Sequence, residues 1–358
     1  MTDRDFGFLP KYRLSSLRKV LFILVCIVIA LAVVVLNIAV GLYNMSFVEC
    51  FQVLWDHITG VIPETFEEYR RDVLIWDQRL PRAIGAFAIG SILGVCGAAM
   101  QNTLKNPLAD PYTMGISSGA SLGVSLVVIL GISFLPSSAQ DFNIVIGAFL
   151  FSLIPTGIIL AASGLKRLTP TAMILTGVAV MYLFGGVNTM LRLIADPEDL
   201  TAVYQWDLGN LGNIGWDNLP FVVVAMVVSL VCMMFLNGHL NILGMDDESV
   251  RSLGINPRKT RLTVMVIVSL CTAVAVCFTG TIGFVGLVAP HIVRIFIGSN
   301  NRFLIPASAA FGGLFLLMAD TVAKVAGSTD LPVGIITSLV GGPLFLYILI
   351  RQRKSQWQ

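Results

Sequence analysis

Charge is scarce in this chain of 358 residues. Lys, Arg, Asp and Glu make up only 12% of it, about half the share found in a water-soluble domain. The net charge is +2 and the basic residues are scattered, so no basic face exists with which to hold nucleic acid. None of the seven lysines follows a glycine; the loop whose backbone amides and Gly-Lys pair cradle phosphates is therefore missing. The three histidines, His57, His239 and His291, lie far apart, and no H-E-x-x-H occurs, so neither a metal site nor a catalytic constellation is expected. The six cysteines form no C-x-x-C pair, and most fall inside apolar runs, where they read as small buried hydrophobes.

Apolar residues, by contrast, make up 56% of the chain, and the mean hydropathy is +0.84. Runs of membrane length lie near Val20–Leu42, Ala83–Leu104, Thr113–Ser133, Ile144–Leu165 and Thr171–Leu193, then near Leu219–Leu236, Leu262–Phe278, Ile282–Ile297, Ile305–Ala323 and Val333–Ile350. A bilayer core needs about 20 residues of helix, so the pattern predicts an all-α integral membrane protein of about ten transmembrane helices. The first run is too long for a signal-peptide core and lacks a cleavage site, and is kept as a span. With the N-terminus inside, 17 of the 23 Lys and Arg fall on inner segments and 6 on outer ones. That asymmetry is what the positive-inside rule demands and places both termini in the cytoplasm. The expected layout is one transmembrane unit: a cytoplasmic N-terminus over 1–19, spans over 20–350, an inner polar loop over 237–261 and a cytoplasmic tail over 351–358. Outside, 43–78 reads as a long acidic segment, and 195–217, with Trp206 and Trp216, as a short interfacial helix or loop.

Three passages carry a resemblance: Arg79–Gly123, which opens RLPRAIGAFAIGSILG and continues through NPLADPYTMGISSGASLG, then Gly254–Ile297, then Asp320–Tyr347. They resemble the permease subunits of ABC importers for iron-siderophores, haem and cobalamin, across most of the chain. The resemblance implies a type II ABC importer permease fold working as a homodimer in the cytoplasmic (inner) membrane, in contact with membrane lipid and with no nucleic acid. It also implies two copies of a separate ABC ATPase, which would bind the ATP and Mg2+, and an extracytoplasmic substrate-binding protein. The cargo it implies is a ferric siderophore or haem-like iron complex, with cobalamin as the alternative. Cofactors in this chain: none are expected, nor any catalytic or metal-binding residue.

The same resemblance distributes roles. Arg79, Arg82 and Lys324, outer cations that run against the positive-inside trend, would dock acidic residues of the binding protein; the competing reading is that they snorkel to headgroups. Within the inner loop, Met245, Asp246, Asp247, Glu248, Ser249, Val250, Arg251, Ser252 and Leu253 would form a coupling helix begun by its acidic first turn, stopped by Gly254 and followed by Pro257. Thr169, Pro170 and Thr171, joining spans four and five at the inner surface, would form a cytoplasmic gate, although Thr169 before a proline is also an ordinary N-cap. Pathway-facing positions would be small or hydroxylated, as at Ser117, Ser118, Ser121, Thr337 and Ser338; such residues also serve helix packing. Asp320, four residues before Lys324, is placed to pair with it, and His291 with Arg294 reads as an inner-surface anchor. Two other classes remain in view: an ion-driven carrier, for which Asp320 and Arg192 are the titratable candidates, and an intramembrane enzyme, for which no nucleophile–base pair stands out.

Overall fold

The structure, a computed structural model, describes residues 8–41, 43, 45–136, 142–165, 169–326 and 330–355. Among them no β-strand occurs, and ten apolar helices account for the expected spans. Four are long and apolar enough to cross a bilayer as single α-helices and are mostly unbroken: α1 (Phe8–Ala39), α6 (Asn143–Leu165), α7 (Pro170–Leu193) and α14 (Asn301–Ala323). α4 (Leu80–Thr103) and α12 (Pro257–Thr279) are equally long and form the buried middle. α5 (Ile116–Val128), α9 (Leu219–Phe235), α13 (Val285–Ile297) and α15 (Val333–Ser355) are the remaining four. α5 and α13 have only 13 residues each, about 20 Å of helix, and neither crosses the hydrocarbon alone.

Several boundaries differ from the sequence reading. α1 begins at Phe8 rather than Val20, and α15 runs on to Ser355 rather than stopping at Ile350; residues 1–7 and 356–358 lie outside the described residues. Span three is shorter than expected because a 3-10 turn, Pro111–Met114, precedes α5; Asp110 caps that turn by accepting from the Tyr112 amide at 2.9 Å. The acidic segment over 43–78 is largely helical in its described residues. It holds α2 (Phe47–Thr59) and α3 (Phe66–Asp72), each begun by a capping box, Ser46 with Glu49 and Thr65 with Glu68. Through a π-helical segment, Val73–Arg79, α3 joins α4 into one helix of 38 residues, Phe66–Thr103. At 1.5 Å per residue that is about 57 Å, nearly twice the hydrocarbon thickness of about 30 Å. Within 195–217, read as a short helix or loop, the structure forms α8 (Pro197–Asp207).

Close packing explains why α4 can be buried almost throughout. A Cβ added at Gly94 would lie 2.2 Å from the Ser308 carbonyl oxygen, and one at Gly90 would lie 2.3 Å from that of Gly312. α4 and α14 thus cross backbone to backbone, as small residues permit in membrane bundles. The turns before the two short spans meet: the Ile282 amide donates to Tyr112 Oη at 3.2 Å, joining the turn before α13 to the turn before α5. Irregular backbone at this depth is tolerated because protein covers it.

Candidate functional site

At the outer end of α4 the three singled-out cations come together, but as buried groups rather than free surface charges. Arg79 is 6% exposed and donates to the carbonyls of Ile38, Ala39 and Tyr43 at 2.7, 3.2 and 2.6 Å. Arg82 reaches Asp320 Oδ1 through Nε at 3.0 Å and Nη2 at 2.7 Å, and also pairs with Asp330. Lys324 donates to Asn37 Oδ1 at 2.7 Å and stands 3.6 Å from Asp320, which bears out the expected pairing across one turn. Asn37 is a residue the sequence reading missed. Its amide nitrogen donates to Asp320 Oδ2 at 3.0 Å while its oxygen receives Lys324, so one side chain orients both charges. The signal was available: Asn37 is the one amide within the first apolar run. The cluster ties α1, α4 and α14 together and borders an outward cavity of about 310 Å3, lined by Arg79, Arg82, Lys324 and Asp330 with Tyr43 and Gln78.

On the inner side, the loop after α9 folds into α10 (Asn237–Ile242), which the sequence reading did not foresee, and α11 (Asp247–Ser252). α11 is shorter than the expected Met245–Leu253: Asp246 is its N-cap, accepting from the Ser249 amide at 2.9 Å, and Leu253 its C-cap. Gly254 ends it at φ +80°, in the left-handed region that favours glycine, as expected, and Pro257 opens α12, five residues before the expected start of that span. Asp247 clamps this helix to the bundle. It accepts from Arg261 at 2.8 and 2.6 Å and from Lys105 at 3.2 Å, while Arg261 Nε donates to the Thr103 carbonyl at 3.2 Å. Hydrogen bonds from Arg261, with its charge and that of Lys105, hold the Asp247 carboxyl well below the usual carboxylate range. A second tie is made by amides: Asn102 Nδ2 donates to Asn301 Oδ1 at 2.6 Å, and the Asn301 amide groups donate to Asn241 Oδ1 at 2.8 and 2.9 Å. Both ties end on the last turn of α4.

Thr169 is the N-cap of α7, accepting from the Ala172 amide at 3.2 Å, with Pro170 at the first helical position. Thr169 and Thr171 are exposed; Lys166, Arg167 and Leu168 before them lie outside the described residues. The five hydroxyl positions separate. Ser117 and Ser338 line one cavity of about 470 Å3 with Tyr112, Asp207 and Thr281. Ser118 is half-buried and not part of that lining. Ser121 is buried and accepts from Asn188 at 3.0 Å and Arg192 at 3.2 Å, and Thr337 is buried and donates to the Gly334 carbonyl at 3.1 Å. Arg192 pairs with Asp207. His291 bonds the Pro107 carbonyl at 2.8 Å and Arg294 donates to Gln101, fixing α13 to the inner end of α4. The spacing G-x-S-x-G does occur, twice, at Gly115–Gly119 and Gly119–Gly123. Both lie on α5 within a stripe packed on α6, not at the strand-to-helix elbow that exposes a nucleophile.

Residues 26–351 match the FecCD transport family. The chain belongs to that family. Hemin transport system permease protein HmuU of Yersinia pestis is 35% identical over 333 residues, covering 91% of this chain and 96% of that protein. Cobalamin import system permease protein BtuC of Halobacterium salinarum is 38% identical over 289 residues, covering 80% of this chain and 75% of that protein. Among solved structures, an inward-facing ABC transporter of metal-chelate type is superimposable with a TM-score of 0.79 at 25% identity, covering 92% of this chain and 98% of that one. This FecCD-family chain is accordingly an integral membrane permease of the ABC transporter type.

Proposed function

We propose that this permease imports an iron complex, a ferric siderophore or a haem-like chelate, across the cytoplasmic membrane. The observation that carries the reading is the 35% identity to a hemin transport permease along 91% of the chain. Cobalamin is the second reading, favoured by the 38% identity to a cobalamin import permease. Because the sequence has no phosphate-cradling loop, the energy comes from a separate ABC ATPase, two copies of which bind ATP and Mg2+ beneath a homodimer of this chain with its termini in the cytoplasm.

The geometry supports specific roles. α11 is small, is flanked by the exposed Met245 and Leu253, and is fastened by Asp247 and Arg261 to the end of the buried α4; seated on the ATPase, it passes a push into the bundle without loss in a flexible loop. Thr169–Thr171, at the inner tip of α7, narrows the pathway from below. Outside, a carboxylate of the soluble binding protein enters the cavity bordered by Arg79, Arg82 and Lys324, where three cations face two acids, Asp320 and Asp330. Ser117 and Ser338 face the cargo. The test is uptake into proteoliposomes holding the permease, its ATPase and its binding protein. ATP-dependent accumulation of hemin or a ferric hydroxamate is expected. Uptake without ATPase and ATP sinks the reading, and accumulation of cobalamin alone selects the alternative.

A further inference from the structure

α2 has an apolar face that is largely exposed in the described protein. Val48, Phe51, Trp55 and Ile58 are 75%, 58%, 67% and 68% exposed, a steep cost for large apolar side chains if water covered them. At 100° per residue the helix divides into three sectors of roughly 100° each. Phe47, Val48, Phe51, Trp55 and Ile58 share one. Glu49, Gln52 and Asp56 share the second, and Cys50, Val53, Leu54 and His57 the third, which rests on the bundle. Two apolar sectors and one polar sector fit a helix that meets protein on one side, water on another and a further apolar phase on the remaining one.

Its placement identifies that phase. Cys50 lies within electrostatic reach of Arg79, and His57 stacks on Trp76 at 4.0 Å between ring centroids. His57 also bonds Asp72 at 2.8 Å, and Glu49 stands 3.8 Å from Arg71, so α2 packs beside α3 and the π-helical segment. Arg79 also marks depth: from Thr103, whose carbonyl meets the inner clamp, 24 residues of helix span about 36 Å, which brings Arg79 to the outer edge of the hydrocarbon. α2 starts there, eight residues after α1 ends at Ala39. The outward side chains of α1, among them Leu21, Leu24, Val28 and Leu31, are 38–67% exposed over that helix and already form the lipid face; the α2 stripe continues it.

We propose that α2 is an interfacial helix that rests its Val48–Phe51–Trp55–Ile58 face on the outer leaflet, at the boundary of headgroups and acyl chains. Aromatic rings are favoured at that level. The adjoining polar sector carries Glu49 and Asp56 and no basic residue, so attachment is apolar and prefers zwitterionic to anionic headgroups, unlike a basic amphipathic helix.

Collisional quenching tests this on the full chain in phosphatidylcholine vesicles. The protein has five tryptophans, so the Trp55 signal is wild type minus Trp55→Phe. Lipid brominated near the headgroup end of the chain is expected to reduce that difference signal by about two-fold, while aqueous acrylamide leaves it nearly unchanged. Nitroxides at Ile58→Cys and Gln52→Cys should divide: oxygen relaxes the first more strongly and a water-soluble nickel chelate the second. Quenching of Trp55 by acrylamide but not by brominated lipid overturns the proposal. So does shielding of position 58 from both oxygen and nickel, the pattern left by a second copy or another protein covering the stripe.

Discussion

Asp320 is expected to be the costliest single charge to neutralise. It is fully buried, receives Arg82 at 3.0 and 2.7 Å and Asn37 at 3.0 Å, and lies 3.6 Å from Lys324. With Asp320 ionised, three cations of the cluster face two acids; with Asp320→Asn, they face Asp330 alone. Removing one partner of a buried ion pair costs about 3–5 kcal/mol, because the remaining charge stays desolvated. At about 2.1 cal/mol/K per residue, 358 residues give roughly 0.75 kcal/mol/K, so Tm should fall by about 4–7 °C. Asp330→Asn is the internal control: its side chain is 44% exposed, and a pair so open to water contributes at most about 1 kcal/mol. Lys324→Met added to Asp320→Asn removes one unmatched cation and should recover part of the loss, a coupling that a double-mutant cycle reads directly. Thermal unfolding of the purified protein in detergent, followed by tryptophan fluorescence, is the assay. Equal Tm values for Asp320→Asn and Asp330→Asn would refute the burial argument, and additivity with Lys324→Met would show that Asp320 and Lys324 do not share their charge.

Three further outcomes follow from the packing and the inner clamp. Gly94→Ala places a Cβ 2.2 Å from a backbone oxygen and should destabilise by about 1–3 kcal/mol in the same assay, whereas Gly186→Ala on α7, with open space around it, should be neutral or slightly stabilising. A carboxyl whose pKa is depressed by folding adds stability above its unfolded value and loses it only as pH falls through the folded value. The Asp247 clamp should therefore survive acidification from pH 7 to about 4, near the ordinary Asp value; loss of amide-exchange protection over Ser249–Gly254 already at about pH 5 would contradict it. Thr169→Ala should cost the first turn of α7 about 1 kcal/mol, seen as faster exchange at Ala172, and a variant that leaves exchange unchanged would remove the cap from the account.

Much of this architecture is written in short-range pattern. Ten apolar runs became ten apolar helices because a 20-residue stretch without charge has few places to go but the bilayer. The short helix with acidic residues at its start and the Gly254 stop were readable for the same reason: each acts within four residues. The outer helices were not. α2 and α3 carry acids and aromatics together, a composition that reads as a polar loop, and their three-sector arrangement becomes apparent only when Cys50 and His57 are seen to face the bundle.

The charged cluster was half legible, and the missing half is the more instructive. Arg79, Arg82 and Lys324 stood out because cations are rare on the outer side, and exposure was the natural inference for charges at span ends. Their burial depends on partners 283 residues apart in the chain, Asn37 and Asp320, and 248 apart, Arg82 and Asp330. No local rule relates such positions. What made the network affordable is itself spread along the sequence: glycines at 90, 94 and 312 let α4 and α14 approach until Arg82 and Asp320 touch, and α1 then closes over them with the single amide able to serve a cation and an anion at once. The charges could be buried only because the backbones could come close, so the small residues and the ions of this helix pair are parts of one solution.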